Sequence, residues 1–197
     1  GGPERLPETA PLQPRPGFHY AAHKAGVERW LERFKPEARL RIVRLRPPAI
    51  LGAHAHPLLR TLLRQPFYPH LPGPPPRLQC VWEEDVALAV QAALAREVRG
   101  AFNLAAEPPL PFRALHRRSR RWALPVPLPL LRATLAAAGR AGLAAGDTAW
   151  VEGLRHGLVL DTGRARAELG WTPRLDTAGC VDATLSGAAP LDRAPGP

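Results

Sequence analysis

The chain has 197 residues, 45% of them apolar, with a net charge of +10 and a pI near 11.2. That is enough chain for one good core, and with no run of about 18 apolar residues no transmembrane helix is expected. Its two cysteines, Cys80 and Cys180, make neither a disulfide framework nor a metal quartet, so a reducing cytoplasm is the expected setting.

In chain order, residues 1–17 (GGPERLPETAPLQPRPG) are proline-rich, read as a loop and contain no apolar segment of the signal-peptide kind. From His19 to Phe34, apolar residues at Tyr20, Val27, Trp30, Leu31 and Phe34 recur at helical spacing, and Pro36 stops the helix. Leu40 to Leu45 (LRIVRL) is short and rich in branched residues, as a strand is. "RPPAILG" follows as an irregular crossing segment, then a short helix over Pro57 to Arg64, then a stiff proline loop, "PHLPGPPP". Leu78 to Val81 is a second strand. "WEEDVALAVQAALARE" is a helix whose acids open the first turn, where the helix dipole favours them, and Gly100 is expected to end it. Ala101 to Leu104 is a third strand. This alternation is the signature of an α/β layered sheet.

Past Glu107 the character changes. Helices are expected over Pro111 to Trp122 and Leu128 to Ala145, separated by "LPVPLP", with a further helical turn over Thr148 to Arg155. "GLVLDTGRARAELGW" predicts a strand and then a helix capped by Asp161 or Thr162. The last dozen residues read as a disordered tail. The implied organisation is 1–106 as an α/β layer, 107–185 as a mainly helical lobe, and 186–197 as the tail.

The basic residues are arginines apart from Lys24 and Lys35. They are scattered and lack the interleaved aromatics of a base-stacking platform. Even the dense cluster His116 to Trp122 therefore reads as ordinary charged surface rather than a specific nucleic-acid site. His54 and His56 have no third ligand at a telling spacing, so they read first as a polar loop, second as substrate contacts and only distantly as a metal site. Gly139 to Gly146 (GRAGLAAG) follows a helix rather than a strand and reads as small-residue packing. Glu83 to Asp85 read as helix-start acids, Cys80 as a small core residue, and Trp171 as packing.

Tyr20 and Lys24 are either a catalytic pair or an ordinary tyrosine and lysine on a surface helix. Four residues apart on a helix, they leave the same face. An ammonium beside a phenol favours the phenolate. A tyrosine so tuned can exchange a proton with a substrate hydroxyl.

The order "YAAHKAGVE", "RIVRLRPPAILG", "CVWEEDVALAV", "GAFNLA", "LDTGRARAELGWTP" resembles the C-terminal half of an extended short-chain dehydrogenase/reductase, the NAD-dependent epimerase/dehydratase family. The match runs from about Pro7 to Asp182. The resemblance implies an incomplete Rossmann-like, mostly parallel sheet, with 1–106 the remainder of a dinucleotide-binding domain, 51–79 contributing to the substrate cleft and 107–185 a mainly helical substrate lobe. It makes Tyr20 the catalytic acid/base and gives Lys24 a hydrogen bond to the nicotinamide ribose of NAD or NADP. Pro47 and Ile50 become cofactor contacts, and Asp85 a structural aspartate. A hydroxyl-bearing small molecule, often a nucleotide sugar, becomes the substrate. It implies a homodimer through the helix of the tyrosine, with neither membrane nor specific nucleic acid as partner.

The family's glycine-rich phosphate turn and its catalytic serine or threonine do not precede Tyr20 here. There is no methionine at position 1 or elsewhere. The expectation is therefore a piece of a longer enzyme, inactive alone. The alternative is a non-catalytic family member that binds a protein partner.

Overall fold

The computed structural model describes residues 5–14, 16, 18–34, 40–64, 66–70, 76–120, 122–140 and 157–187. The first helix, α1, spans His19–Arg33. The strand predicted next is β1, Val43–Arg46. It begins later than the run of branched residues because its partner fixes the ends: Val43 lies opposite Gly100, and Gly100 donates its N–H to Ile42. The segment read as irregular contains a strand, β2, Ala49–Leu51. It is three residues long, too short to show alternation. Helix α2 is Pro57–Arg64, as expected, and β3 is Phe67–His70. So the first residues of the proline loop are strand; its middle, 71–75, lies outside the described residues.

The second predicted strand is two, β4 (Arg77–Leu78) and β5 (Cys80–Trp82). They part at Gln79, whose buried side chain takes the Leu160 N–H and donates to Ala106 O. Helix α3, Glu83–Ala95, carries all three acids in its first turn. It ends before Gly100, which instead opens β6 (Gly100–Asn103) at φ +92°. There a Cβ would stand 3.2 Å from the Arg164 guanidinium, so glycine is needed for both backbone and space.

Beyond lie β7 (Leu110–Pro111), α4 (Phe112–Ser119), β8 (Trp122–Pro125), α5 (Leu128–Arg140), α6 (Gly163–Leu169) and α7 (Thr177–Ser186). The helix expected through Trp122 stops at Ser119, and Trp122 opens a strand paired with β3. Pairing with a distant partner overrides the local pattern. The expected helical turn at 148–155, most of the GRAGLAAG segment and the tail past Gly187 fall outside the described residues. Helix α7, which reaches Ser186, went unforeseen. It is capped by Asp176, whose carboxylate accepts the Gly179 N–H at 2.6 Å, and it ends at Gly187 in the left-handed conformation. At α6 the residue next to the cap position does the bonding: Asp161 Oδ1 accepts the Gly163 N–H at 2.8 Å, while Thr162 makes no side-chain cap.

Among the described residues the strands form four two-stranded pairs: β1 with β6, β2 with β5 and β3 with β8, all parallel, and β4 with β7, antiparallel. Parallel strands joined through helices give an α/β, Rossmann-like architecture with small sheets. The first two pairs are stitched together where Ala106 N–H bonds Cys80 O at 2.8 Å. Two apolar clusters result. One joins Val81, Ala89, Phe102, Leu104, Leu169 and Trp171 between the strands, α3 and α6. The other joins Leu51, Tyr68, Trp82, Leu115, Cys180 and Val181 under α7. Among the described residues no helix is long and apolar enough to cross a membrane.

Candidate functional site

The first turns of α1 carry Tyr20 and Lys24. The helix places the Lys24 ammonium 5.9 Å from the centre of the Tyr20 ring, and the Phe18 ring stands 6.1 Å from it. Tyr20 is 56% exposed. The spacing read from the sequence thus brings these two groups together on an accessible helix face.

Further along the same helix, Glu28 grips β1. Arg46 donates Nε to Glu28 Oε1 at 3.0 Å and Nη2 to Oε2 at 2.8 Å, a two-point pair. Arg44 donates to Glu28 Oε2 and to Glu32 Oε1, both at 2.8 Å. Arg44 and Arg46 alternate on the strand, so they leave one face of it, while Glu28 and Glu32 stand one turn apart on the helix. The Arg46 hydrogen bond holds the Glu28 carboxyl below the usual glutamate range, against a smaller opposing effect of burial. Arg46 also donates to Glu8 O at 2.9 Å, and the Glu8 carboxylate accepts the Asn103 N–H at 2.8 Å.

Pro47 follows Arg46 directly and is half-buried. Ile50 sits in β2 opposite Val81 and packs against the cluster around Phe102, so at least part of its side chain is committed to the core. Gly52 ends this segment. A Cβ there would lie 2.2 Å from the Glu83 side chain, which folds over the turn to accept Ala53 N–H at 2.9 Å and His54 N–H at 3.0 Å. His54 Nδ1 lies 3.2 Å from Glu83 Oε1. Glu83 is therefore an anchor for this turn, in keeping with a loop role for His54. Among the described residues no group of three or more His, Cys, Asp and Glu side chains is placed to hold a metal ion.

Asp85 is fully buried. Its carboxylate accepts the Arg174 N–H at 3.0 Å, its carbonyl takes the Trp171 indole N–H at 2.7 Å, and burial pushes its carboxyl up. This is a structural placement, and so is that of Trp171. Cys80 is buried in the core beside Cys180, and that thiol together with burial keeps the Cys80 thiol protonated.

Two features escaped the sequence reading. Asn103 Nδ2 donates to Leu6 O and Asp161 O, both at 3.0 Å, tying the N-terminal segment to the start of α6. The Glu28–Arg46 clamp was signalled only by charges alternating on a strand and a glutamate pair one turn apart. Each motif is ordinary until their elements are known to touch.

No protein-family model matches the chain. An uncharacterized protein of Mycobacterium tuberculosis is 31% identical over 162 residues, which are 80% of this chain and 41% of that protein. In solved structures the chain is similar to UDP-glucose 4-epimerase of Thermus thermophilus in complex with NAD, with TM-score 0.63 and 22% identity over 93% of this chain and 57% of that one. It is also similar to dTDP-4-dehydrorhamnose reductase of Bacillus anthracis in complex with NADP, with TM-score 0.58 and 11% identity over 95% of this chain and 61% of that one. At these identities the likeness is one of fold. The chain spans about two fifths of the length of the curated relatives it matches.

Proposed function

We propose that this chain supplies the acid/base part of an NAD(P)-dependent epimerase, dehydratase or dehydrogenase acting on a hydroxyl-bearing substrate such as a nucleotide sugar. The observation that carries the reading is the Lys24 ammonium beside the exposed Tyr20 ring, on a helix clamped to the strand that leads into Pro47 and Ile50. It is supported by a fold shared with enzymes crystallised with NAD or NADP.

The residues present fit the nicotinamide end of such a cofactor. Tyr20 and Lys24 offer a hydroxyl and an ammonium on one accessible face, suited to ribose hydroxyls. A pyrophosphate is cradled by a glycine-rich turn between a strand and a helix, and no residue of this chain is assigned that role. When bound, the nicotinamide would accept or return a hydride. Tyr20 exchanges the hydroxyl proton with the substrate, and Lys24 supplies a positive charge beside its ring. Residues 107–185 form the substrate lobe in this reading. Two copies pair through α1, where Val27, Trp30 and Phe34 are exposed.

Replacing Tyr20 by Phe in the full-length protein removes the exchangeable proton and keeps the ring. Turnover should fall by about 10²–10⁴-fold, with NADH or NADPH binding, followed by fluorescence titration, weakened by no more than about tenfold, the worth of one hydrogen bond. Turnover that survives the substitution overturns the assignment. Titrating this chain beside the full-length protein tests where the cofactor is held: only the longer protein should bind.

A further inference from the structure

The series Tyr20, Lys24, Glu28, Glu32 runs along α1 at intervals of four. Its first two members are the acid/base pair of the reading above. Its last two are the ones held by β1. Glu28 lies about 12 Å along the axis from Tyr20, too far to touch the substrate hydroxyl that Tyr20 touches. We infer that Glu28 is a positioning residue: locked by Arg46 and Arg44, it fixes the rotation of α1 on β1 and so sets where Tyr20 and Lys24 stand relative to the Pro47–Ile50 segment. This inference rests on the function proposed above and goes beyond it, since it assigns a role to a residue outside the pair.

Three observations support it. First, the grip is directional. Arg46 holds both carboxylate oxygens, and a two-point pair resists rotation where a single contact would act as a swivel. Second, within one copy α1 has little apolar burial to hold its angle. Ala25 is its only buried member, and Tyr20, Val27 and Trp30 are each more than half exposed. Third, the clamp is itself sheltered and braced. The Glu28, Arg44 and Arg46 side chains are only 18%, 15% and 17% exposed, so the pairs are poorly screened, and Arg46 is tied to Glu8 O as well.

The leverage is large. Turning the helix by about 20° moves side-chain atoms at a radius of about 5 Å through roughly 2 Å. A misplacement of about 1 Å at a reacting group can cost on the order of 100-fold in rate.

The test compares four variants of the full-length protein. Glu28→Gln removes the charge. Arg46→Lys keeps the charge and loses the fork, so it guards against a Glu28 variant that fails to fold. Tyr20→Phe tests the underlying reading. Arg164→Ala is the control: it breaks contacts with Phe102, Glu168 and the Ala101 carbonyl, none of them on α1. Each is measured for kcat and KM well below its unfolding midpoint, and for amide exchange peptide by peptide.

Glu28→Gln and Arg46→Lys should each lower kcat by about 10–100-fold with KM nearly unchanged, and speed exchange over 19–33 but not over 83–95. Arg164→Ala should speed exchange over 163–169 and leave kcat alone. If both clamp variants keep kcat within twofold while Tyr20→Phe abolishes turnover, the clamp is merely structural and the inference is overturned. If Tyr20→Phe itself keeps turnover, the acid/base reading has failed, and the Glu28 role falls with it.

Discussion

The β1–β6 pair is held by different forces at its two ends of attachment. Helix α1 is joined to β1 by charge, through Glu28, Glu32, Arg44 and Arg46, and buries little apolar surface. Helices α3 and α6 are joined to the strands by burial, through Phe102, Leu104, Ala89, Ala165 and Leu169, all at most 1% exposed. Apolar burial is non-directional and scales with area. A two-point ion pair adds little area and fixes an angle. The region that must be stable is packed with hydrocarbon, and the helix that carries the candidate chemistry is keyed in place by geometry.

The largest expected effect breaks the packed side. Phe102 is fully buried at the centre of its cluster, with the Arg164 guanidinium 4.4 Å from its ring centre. Phe102→Ala should cost about 3–5 kcal/mol, read as a lower denaturant midpoint. Breaking the keyed side should cost less. Glu28→Gln leaves two half-buried arginines short of a partner, a loss of about 1–3 kcal/mol. A larger loss from Glu28→Gln than from Phe102→Ala would invert the comparison.

The two sides also answer oppositely to pH. The folded Glu28 carboxyl titrates below its ordinary value near 4.5 because Arg46 hydrogen-bonds it. Its contribution is therefore complete above that value and is lost as pH falls toward and through the folded value. The folded Asp85 carboxyl titrates above its ordinary value near 3.8 because it is buried. The unfolded chain then gives up that proton first, so stability falls as pH rises from about 3.8 through the folded value and is level beyond it. Acid should loosen α1 while easing the strain at Asp85. In urea titrations from pH 3 to pH 7, Glu28→Gln should flatten the rise and Asp85→Asn should flatten the fall. The same change of slope in both variants would mean that the two carboxylates do not act separately.

The sequence made the packed side easier to foresee than the keyed one. Helix α3 announced itself by acids in its first turn and alanine and leucine in its body, and β6 was foreseen as the short segment Ala101 to Leu104. Tyr20 and Lys24 were legible because their contact is local, within one helix. The clamp was not, because Glu28 and Arg46 are brought together by the docking of α1 on β1. The short strand β2 and the Trp122 strand β8 were misread for the same reason: their partners, β5 and β3, are far away in the chain, and local preference is weak in segments this short. Helix α7 went unseen since its Thr–Ala–Gly start is a poor helix former, rescued by the Asp176 cap and by burial of Cys180 and Val181.

The smallest effect sharpens the comparison from the solvent side. Leu94 is a large apolar residue on α3, yet it is 78% exposed, because it points away from the face that packs on Phe102 and Trp171. Its neighbour Ala93 packs against that cluster. If burial alone holds α3, then Leu94→Lys should change stability by no more than about 0.5 kcal/mol, while Ala93→Lys, which forces a charge toward the apolar face, should cost several times as much. Equal losses at the two positions would mean that the whole helix surface, rather than one face of it, is committed to packing. The contrast with α1, held at a few charged points, would then be one of extent as well as kind.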